Sequence, residues 1–333
     1  MTEPTLDIVA IGNAIVDVIA QADDAFVTSE GVAKGSMRLM DEATSDSLYS
    51  RMGPGREISG GSAANTVAGM AMLGCKCGFI GQVADDQLGE VFAHDIRANG
   101  VVFDTPVRSG QPSTARCLIL VTPDAQRTMN TFLGASQFLP EAAIDHDQIA
   151  SARILYLEGY LWDPAEPRAA MQAAIRIAHE AGRKVAFTLS DTFCIARHGD
   201  DFRKQIVSGA FDILFANENE LLALVGEGAD DFDKAVNAIA PLVETLVVTR
   251  GSLGAVAVQG GQRAQVAAEP IDKIVDTTGA GDLFAAGFLA GQAQGRSLED
   301  SLHMGAIAAA EVISHYGARP EAKLDELVKA RLG

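Results

Sequence analysis

The sequence is poor in cysteine and in basic residues, and it contains no long apolar run. It has 4 cysteines in 333 residues, none in a Cys-x-x-Cys pair, so neither a disulfide framework nor a cysteine-based zinc site is expected. Lys and Arg number 26 against 44 Asp and Glu, for a formal net charge of -18. A chain this acidic binds polyanions poorly, so we expect no nucleic acid partner and no anionic membrane partner.

Membrane and secretory signals are also missing. No apolar run approaches the ~20 residues that span a bilayer, and the first residues lack the basic and apolar regions of a signal peptide. These features predict a cytoplasmic protein. Hydrophobic residues make up 48% of the chain, enough for a large core, and no linker or repeat divides it. We therefore predict a single domain over residues 1-333.

Short apolar segments rich in Val and Ile alternate with longer segments of helical periodicity. The predicted strands are 6–12, 78–83, 154–158, 184–189, 211–216 and 246–249. The predicted helices are 62–73, 165–181, 230–242, 280–294 and 298–314. This alternation predicts an α/β fold with a mostly parallel central sheet and helices on both faces.

Two segments break the alternation, at about residues 16-40 and 101-132. They contain alternating, turn-punctuated residues, including the predicted turn Thr122–Ala125 between two strand-like runs. We interpret them as a small β lid over one edge of the main sheet. Ordinary edge hairpins are the alternative.

The strongest chemical signal is the segment 276–282, Asp-Thr-Thr-Gly-Ala-Gly-Asp, which precedes an apolar helix. Small residues there place consecutive backbone N–H groups at a helix N-terminus, where the helix dipole favours anions. Asp282 would lie in the first turn, where its carboxylate can accept a proton from an attacking hydroxyl. The alternative is an Asp that merely stabilises the helix N-terminus.

Two familiar phosphate-binding motifs are absent. The sequence has no Gly-x-x-x-x-Gly-Lys-Ser/Thr, so it is not a P-loop enzyme. Gly279-x-Gly281 continues to Phe284 where a dinucleotide fingerprint requires Gly or Ala, and it does not follow the first strand. A nicotinamide-dependent dehydrogenase is therefore not expected.

The segment 276–282 resembles the C-terminal signature of the PfkB/ribokinase family of carbohydrate and nucleoside kinases. Three further segments resemble motifs of that family and occur in the same order: Gly60-Gly61-Ser62-Ala63-Ala64-Asn65, Asn217-Glu218-Asn219-Glu220 and Thr249-Arg250-Gly251-Ser252-Leu253-Gly254. The resemblance covers essentially the whole chain. It implies a ribokinase-like fold and an ATP-dependent kinase that uses Mg²⁺.

The resemblance also implies roles for individual residues. Asp282 would be the catalytic base, and Gly279, Ala280 and Gly281 would form the anion hole. Further residues complete the implied site: Asn217 and Glu220 near magnesium and the phosphates, partly through water; Thr249 and Gly251 at ATP; and Asp276 and Thr278 where many relatives hold a monovalent cation such as K⁺. For these last two, the alternative is a role in stabilising the loop.

The acceptor site is predicted at the end of the first strand, because ligands bind at the carboxyl ends of strands in open α/β sheets. Asp17 can accept hydrogen bonds from two vicinal hydroxyls, as a ribose or a sugar presents them. Gly60 and Gly61 let backbone approach the same ring, and Asn65 can bond a third oxygen. The alternatives are a capping role for Asn65 and an exposed, uninvolved Asp17.

Gly12-Asn13-x-x-x-Asp17 is similar to the adenosine kinase branch, in which the Asn directly follows the Gly. Arg127, on the predicted lid, matches an arginine that reaches the transferred phosphate in that branch. Four residues could stack on a purine or belong to the core: Phe132, Tyr160, Leu161 and Trp162. The segment 62–64 departs from the eukaryotic pattern, which is bulkier and more polar there.

These features predict phosphorylation of a primary alcohol, with adenosine as the first choice of acceptor and purine salvage as the context. The alternatives are a kinase for a free sugar such as ribose or fructose, and a catalytically silent nucleoside or sugar binding protein. The lid leaves both a monomer and a lid-mediated homodimer open.

Overall fold

The computed structural model describes residues 3–124, 126–226 and 231–333. Within these residues the chain forms 13 strands and 12 α-helices. The strands are β1 (Leu6–Ile11), β2 (Ile15–Gln21), β3 (Met37–Leu39), β4 (Gly55–Gly60), β5 (Cys77–Ile80), β6 (Ala115–Val121), β7 (Arg127–Phe132), β8 (Ala152–Glu158), β9 (Lys184–Thr188), β10 (Ile213–Asn217), β11 (Thr245–Thr249), β12 (Ala255–Gln259) and β13 (Gln262–Val266). The helices are α1 (Asp24–Ser29), α2 (Glu42–Arg51), α3 (Ser62–Met72), α4 (Gln87–Ala98), α5 (His146–Ala150), α6 (Ala165–Glu180), α7 (Thr192–Val207), α8 (Glu218–Val225), α9 (Phe232–Ile239), α10 (Ala280–Ala293), α11 (Leu298–Val312) and α12 (Leu324–Leu332).

The main sheet has eight strands in the order β13-β12-β11-β10-β9-β8-β1-β5. The six strands from β11 to β5 pair in parallel, and β12 and β13 add an antiparallel edge. The predicted α/β, ribokinase-like fold with a mostly parallel sheet is confirmed. Because parallel strands end at the same side of a sheet, the residues that follow β1, β8, β9, β10 and β11 meet along one line, here called the carboxyl edge.

Apolar side chains cover both faces of this sheet, as a doubly covered parallel sheet requires. Successive residues of a strand point to opposite faces. In β1, Ile8 and Ala10 face the core formed with α3, α10 and α11, whereas Val9 and Ile11 face the core formed with α6 and α7. All four side chains are fully buried, so β1 contributes to both cores.

A second sheet has five strands in the order β3-β7-β6-β2-β4. Four of them come from the two segments for which lid elements were predicted, and β4 comes from outside both segments. Residues 101–114 form no strand of this sheet; single bridges join Val102 to Gly78 and Arg108 to Ala84. Phe103 instead packs against Phe79 and Phe92 in the core, so its apolar character reflects burial at the main sheet.

Several helices were not predicted, among them α4, α7, α8 and α12. The missed helix α7 is capped by Asp191, the residue before it, whose side chain accepts from the backbone amide of Cys194 at 2.6 Å. The predicted helix 230–242 begins at Asp230 and the predicted turn 122–125 ends at Ala125; both of these residues lie outside the described residues. The described part of that helix continues from α9 into a 3₁₀ turn at Ala240–Leu242.

Helices α3 and α10 approach each other closely, which fixes the site described below. A Cβ atom on Gly69 of α3 would lie 2.6 Å from the Leu283 side chain and 2.8 Å from that of Ala286. The missing side chain thus allows the N-terminal turns of the two helices to meet. No helix in the described ranges is both long and apolar enough to cross a membrane.

Candidate active site

The four sequence motifs converge on the carboxyl edge. Asn217 ends β10 and Thr249 ends β11, and the two residues pair directly in the parallel register. The glycine motif starts α3 and the C-terminal motif starts α10, the two helices that pack together. Residues far apart in sequence therefore line one continuous surface.

The N-terminus of α10 has the geometry of an anion site. Gly279 precedes the helix with a left-handed backbone, φ 79°, and a Cβ there would lie 2.7 Å from the Cβ of Ala318. Only glycine suits this position. Gly281 is exposed, and a Cβ on it would meet no atom within 4 Å, so open space lies in front of the first helical turn. First-turn amides lack partners within a helix, which is what a phosphate requires.

Asp282 lies in this first turn and is held by α3. Its Oδ1 accepts from the Ser62 hydroxyl at 2.6 Å, and its Oδ2 accepts from the Asn65 side-chain nitrogen Nδ2 at 2.9 Å. Desolvation raises the pKa of Asp282, and the hydrogen bonds from Ser62 and Asn65 and the charge of Arg319 oppose the rise. The carboxylate is thus oriented and made more basic, as a proton acceptor requires. Ser62 was not predicted to contact it.

Asn65 was predicted to bind the acceptor. In the structure its side-chain nitrogen Nδ2 donates to Asp282. Its Oδ1 is buried and has no hydrogen-bond partner among the described residues. A buried acceptor atom without a partner is costly. A hydroxyl group of a bound acceptor would donate to this atom. Binding of the acceptor by Asn65 therefore stays a prediction, and Oδ1 is the atom expected to make the contact.

Glu158, at the end of β8, is a fully buried carboxylate that sequence reasoning missed. It accepts from the Asn13 amide at 2.8 Å, the Asn13 side chain at 2.6 Å and the Ala63 amide at 2.7 Å. Desolvation outweighs these bonds and raises its pKa to about 7. Glu158 therefore links the loop after β1 to the start of α3. The available signal was an acidic residue that ends an otherwise apolar strand.

Asn13, predicted to mark the acceptor, is 4% exposed. Its side chain donates to Glu158, and its Oδ1 accepts from the Ser136 hydroxyl at 2.8 Å. It therefore shapes the site through neighbouring residues in this structure. Direct contact between Asn13 and an acceptor stays a prediction.

Asp17 lies on β2 of the second sheet, opposite Ile58 of β4 and Cys117 of β6. Its carboxylate fills the space beside Gly60, where a Cβ would lie 2.6 Å from Oδ2. Desolvation raises its pKa to about 6, while Arg127 and Arg319 lower it and Asp282 raises it. The carboxylates of Asp17 and Asp282 are therefore close enough to interact electrostatically. An acceptor with several hydroxyl groups could donate hydrogen bonds to both.

The glycine pair is required by close backbone approach. Gly61 has a φ of 99°, and a Cβ there would lie 2.2 Å from the carbonyl oxygen of Asn13. The motif thus holds the start of α3 against the loop after β1.

Arg127, at the start of β7, is paired with Asp276, and both side chains are buried. Asp276 lies in the loop 276–279 before α10, here called the anion-site loop. Oδ1 of Asp276 accepts from the Thr278 amide at 3.0 Å and hydroxyl at 2.8 Å, and its Oδ2 also accepts from the Gly317 amide at 3.1 Å. This carboxylate is fully occupied by the chain itself. A monovalent cation at Asp276 and Thr278, such as K⁺, stays a prediction.

Two nitrogens of Arg127, Nε and Nη2, are buried without partners among the described residues. A guanidinium normally satisfies all its donors when buried. A bound anion could accept from both nitrogens, so the predicted contact of Arg127 with the transferred phosphate remains a prediction.

The Asn-x-x-Glu motif forms a capping box at the start of α8. The Asn217 side chain accepts from the Glu220 amide at 2.9 Å, and the Glu220 carboxylate accepts from the Asn217 amide at 2.9 Å. Desolvation raises the pKa of Glu220 to about 7, with Asp191 raising it further. Mg²⁺ prefers oxygen ligands and keeps several waters. Both carboxylate oxygens of Glu220 accept from Asn217, and binding of a hydrated magnesium ion by Glu220 stays a prediction.

The Thr-x-Gly-x-x-Gly segment after β11 forms an open shelf. Gly251 starts a 3₁₀ turn and is exposed, and Leu253 is 58% exposed. Arg250 makes a two-point ion pair with Glu218 at 3.0 and 3.1 Å and lies 3.8 Å above the Phe232 ring. The shelf combines a fixed rim with an accessible apolar surface, as an adenine of ATP would need.

Aromatic residues separate into buried and exposed sets at the acceptor end. Leu161 and Trp162 are core residues, and the Trp162 indole donates to Asp201 at 2.7 Å. Phe132 is also buried, under Arg116. None of these three can stack on an acceptor; Tyr160, which is 40% exposed, is the remaining candidate of the four.

A second exposed aromatic, Phe193, was not predicted. It lies in the first turn of α7 and is 69% exposed. Ser190 precedes Phe193 in the chain and holds Tyr160: its hydroxyl accepts from the Tyr160 backbone amide at 3.2 Å, and its carbonyl accepts from the Tyr160 hydroxyl at 3.3 Å. Ser190 has a φ of 70°, a strained conformation for a residue with a side chain. Strain of this kind is common at functional sites.

Comparison with known proteins agrees with this geometry. Residues 6–324 match the family described as pfkB family carbohydrate kinase. The crystal structure of adenosine kinase from Sinorhizobium meliloti shares 48% identity, covers 98% of this chain and 99% of its own, and superposes with a TM-score of 0.89. The structure of a probable sugar kinase from Rhizobium etli CFN 42 shares 47% identity, covers 98% of both chains and has a TM-score of 0.90. The 5-dehydro-2-deoxygluconokinase of Bacillus subtilis is 26% identical over 99% of this chain and 98% of its own.

Fold, site and comparisons together define a phosphotransferase that acts on an alcohol group. The chain belongs to the pfkB family of carbohydrate kinases, whose members phosphorylate a sugar or a nucleoside. Kinases of this family use ATP, normally with Mg²⁺.

Proposed function

We propose that this protein is an adenosine kinase, which transfers the γ-phosphoryl group of ATP to adenosine and releases ADP and AMP. The observation that carries the proposal is that two aromatic side chains are exposed after adjacent strands of the carboxyl edge, Tyr160 after β8 and Phe193 after β9. Desolvation raises the pKa of Tyr160, and the negative charges of Asp191 and Asp282 raise this pKa further. The Tyr160 ring therefore lies near both carboxylates. The flat base of a nucleoside can stack on such rings.

The proposed reaction uses the two ends of this edge. Asp282 accepts the proton of the primary hydroxyl, whose oxygen forms a bond to the γ-phosphorus as the bond to the β-phosphate oxygen breaks. The first amides of α10 hold the developing charge. Asp17 and the free Oδ1 of Asn65 accept from ribose hydroxyls. Glu220 would hold magnesium through water, and a magnesium ion bound there would supply positive charge against the phosphates.

The second sheet supports a lid role in this proposal. It supplies Asp17 from β2 and Arg127 from β7, so both predicted lid segments contribute a side chain to the edge. A lid that excludes water strengthens electrostatic interactions inside the site. We also infer a cytoplasmic location, in keeping with a metabolic kinase whose four cysteines are buried free thiols.

The test is coupled ADP release with ATP and Mg²⁺ against adenosine, inosine, ribose, fructose and 2-keto-3-deoxygluconate. We expect adenosine to have the highest kcat/KM. We expect Phe193→Ala to raise the KM for adenosine about tenfold, since base stacking contributes about 1–3 kcal/mol, with little change for ATP. Tyr49→Ala, which removes an exposed aromatic from α2, is the matched control. Equal KM values in Phe193→Ala and the wild type would reject the stacking site.

A second candidate is a kinase for a sugar acid. The two unpartnered nitrogens of Arg127 would pair with a carboxylate as well as with a phosphate, because both anions match a guanidinium fork. The similarity to 5-dehydro-2-deoxygluconokinase favours the same class. Turnover of 2-keto-3-deoxygluconate without turnover of adenosine would select this candidate.

A further inference from the structure

We propose that Arg319 is a positioning residue for the base Asp282: its guanidinium fixes the junction of β4 and α3 and is the shared cation of Asp17 and Asp282. Arg319 belongs to none of the sequence motifs. The inference rests on Asp282 acting as the base, as in the proposed function, and holds for a nucleoside or a sugar acceptor alike.

The guanidinium spans the junction with three hydrogen bonds. Nε donates to the Ser59 carbonyl at 3.0 Å, Nη2 to the Ser59 hydroxyl at 2.9 Å and Nη1 to the Ala64 carbonyl at 2.7 Å. Ser59 lies at the end of β4, and Ala64 lies in the first turn of α3. The clamp therefore encloses the glycine pair, the most adaptable part of the chain in this region.

The segment between the two Arg319 contacts, residues 60–63, leads into the first turn of α3, which holds the base Asp282. Ser62 and Asn65 flank Ala64, and these are the two side chains that donate to Asp282. The Ser59 amide and hydroxyl are in turn bonded to Asp95 of α4 at 2.8 and 2.6 Å. A shift of the first turn of α3 would move both donors of the base together, and Arg319 opposes such a shift.

The segment that carries Arg319 also touches the other side of the base. The Gly317 amide donates to Asp276 at 3.1 Å, and Ala318 packs so closely on Gly279 that a Cβ on Gly279 would lie 2.7 Å from the Ala318 Cβ. Residues 317–319 thus contact the anion-site loop and the start of α3 at once. One short segment sets the distance between the two.

The charges around Asp282 explain why a cation is needed there. Asp17 of β2, Glu158 and Tyr156 of β8, and Tyr160 all face it, and each is acidic or neutral. The Arg319 charge lowers the pKa of both Asp17 and Asp282. Desolvation lowers the pKa of Arg319 itself to about 10, so the guanidinium still carries its charge at neutral pH. Arg127 faces Asp17 from the second sheet.

The experiment compares Arg319→Gln, which removes the positive charge, with Arg319→Lys, which keeps the charge but cannot make the three hydrogen bonds of the guanidinium. The readout is kcat as a function of pH, with the best acceptor found for the wild type. We expect the acid limb of the kcat–pH profile to move to a higher pH by about 1 unit in Arg319→Gln. Loss of the positive charge should raise the pKa of Asp282, because an opposite charge nearby shifts a carboxyl pKa by about 1–3 units. Arg319→Lys should lower kcat severalfold and leave the limb within about 0.3 units. Arg263→Gln, which breaks the exposed pair with Asp233, is the control.

The outcomes separate this inference from the proposed function. An unmoved limb in Arg319→Gln, with kcat or thermal stability merely reduced, would show a structural role only and overturn the proposal. If Arg319→Gln does not fold, a limb displaced by a full unit in Arg319→Lys would overturn it, because that variant retains the cation. Wild-type turnover retained in Asp282→Asn would instead reject the base, whatever the Arg319 variants do.

Discussion

The two ends of the carboxyl edge are built differently. The acceptor side is formed by Asn13, Asp17, Asn65, Glu158 and Asp282. There, side chains far apart in sequence are hydrogen-bonded in pairs, Asn13 to Glu158 and Asn65 to Asp282. At the nucleotide side, formed by Asn217, Thr249 and Gly251, Asn217 and Gly251 are exposed and the hydrogen bonds of the motif are local. A site that must orient a hydroxyl needs fixed side chains, whereas a phosphate chain can be held by backbone amides.

The contrast predicts that acceptor-side changes alter kcat and nucleotide-side changes alter the KM for ATP. The largest effect is expected for Asp282→Asn, which keeps the shape and removes the base. We expect kcat to fall about 10²–10⁴-fold, the usual contribution of a positioned general base, with the KM for ATP nearly unchanged. ADP release at saturating acceptor measures it.

The matched control for that change is Asp325→Asn, which alters an exposed carboxylate in the first turn of α12. It should turn over like the wild type. If Asp282→Asn retained more than half of the wild-type kcat, the base would lie elsewhere and the acceptor side would be only a binding surface.

The next effect is expected for Glu158→Gln. Gln has one acceptor oxygen where Glu158 serves three donors, so at least one buried N–H loses its partner, which costs about 1–3 kcal/mol. We expect the free energy of unfolding to fall by this amount and the acceptor KM to rise about tenfold. Urea unfolding and acceptor titrations at constant ATP measure both, with Glu321→Gln as the exposed control.

Glu158 also makes a signed pH prediction. Its pKa is raised from 4.5 to about 7 in the folded protein, so between these values the folded state binds more protons than the unfolded state. Its contribution to stability is complete below about pH 4.5 and is lost as the pH rises towards about 7. The unfolding free energy of the wild type should therefore decline relative to Glu158→Gln over this range. A difference that grew with pH would contradict the burial argument.

The smallest effect is expected at the nucleotide side, for Asn217→Ala. Loss of the capping box should cost about 1 kcal/mol of stability and raise the KM for ATP about five- to tenfold, while kcat stays within about threefold. Asn219→Ala, an exposed position in the first turn of the same helix, is the control. A drop in kcat at saturating ATP, with the KM unchanged, would remove the distinction between the two sides.

Sequence reasoning reached the fold and the principal motifs because both leave local patterns. Apolar runs that alternate with helical periodicity predicted the parallel sheet, and the structure confirms it. The segment 276–282 predicted a phosphate-type turn, and Gly279 has the left-handed backbone that such a turn needs. One prediction was wrong because an alternating apolar segment occurs both in exposed β elements and in segments packed on a core. The apolar residues near Phe103 were assigned to the lid, but Phe103 packs on Phe79 and Phe92 in the main core.

The remaining site residues were missed because nothing next to them in sequence shows their role. Ser62 lies 220 residues from Asp282, and Arg319 lies 260 residues from Ser59. Trp162 and Tyr160 are two positions apart, yet one is buried and the other exposed, because a 3₁₀ turn directs them to opposite sides.

Periodicity, turn residues and helix starts are local properties of the chain, and they were enough to indicate the class of fold, the family motifs and a kinase chemistry. Which carboxylates are buried, which cation lies near them and which aromatic rings reach the surface could be seen only in the folded molecule. Burial and charge pairing depend on distances between residues far apart in sequence, and only the packed sheet and helices set those distances.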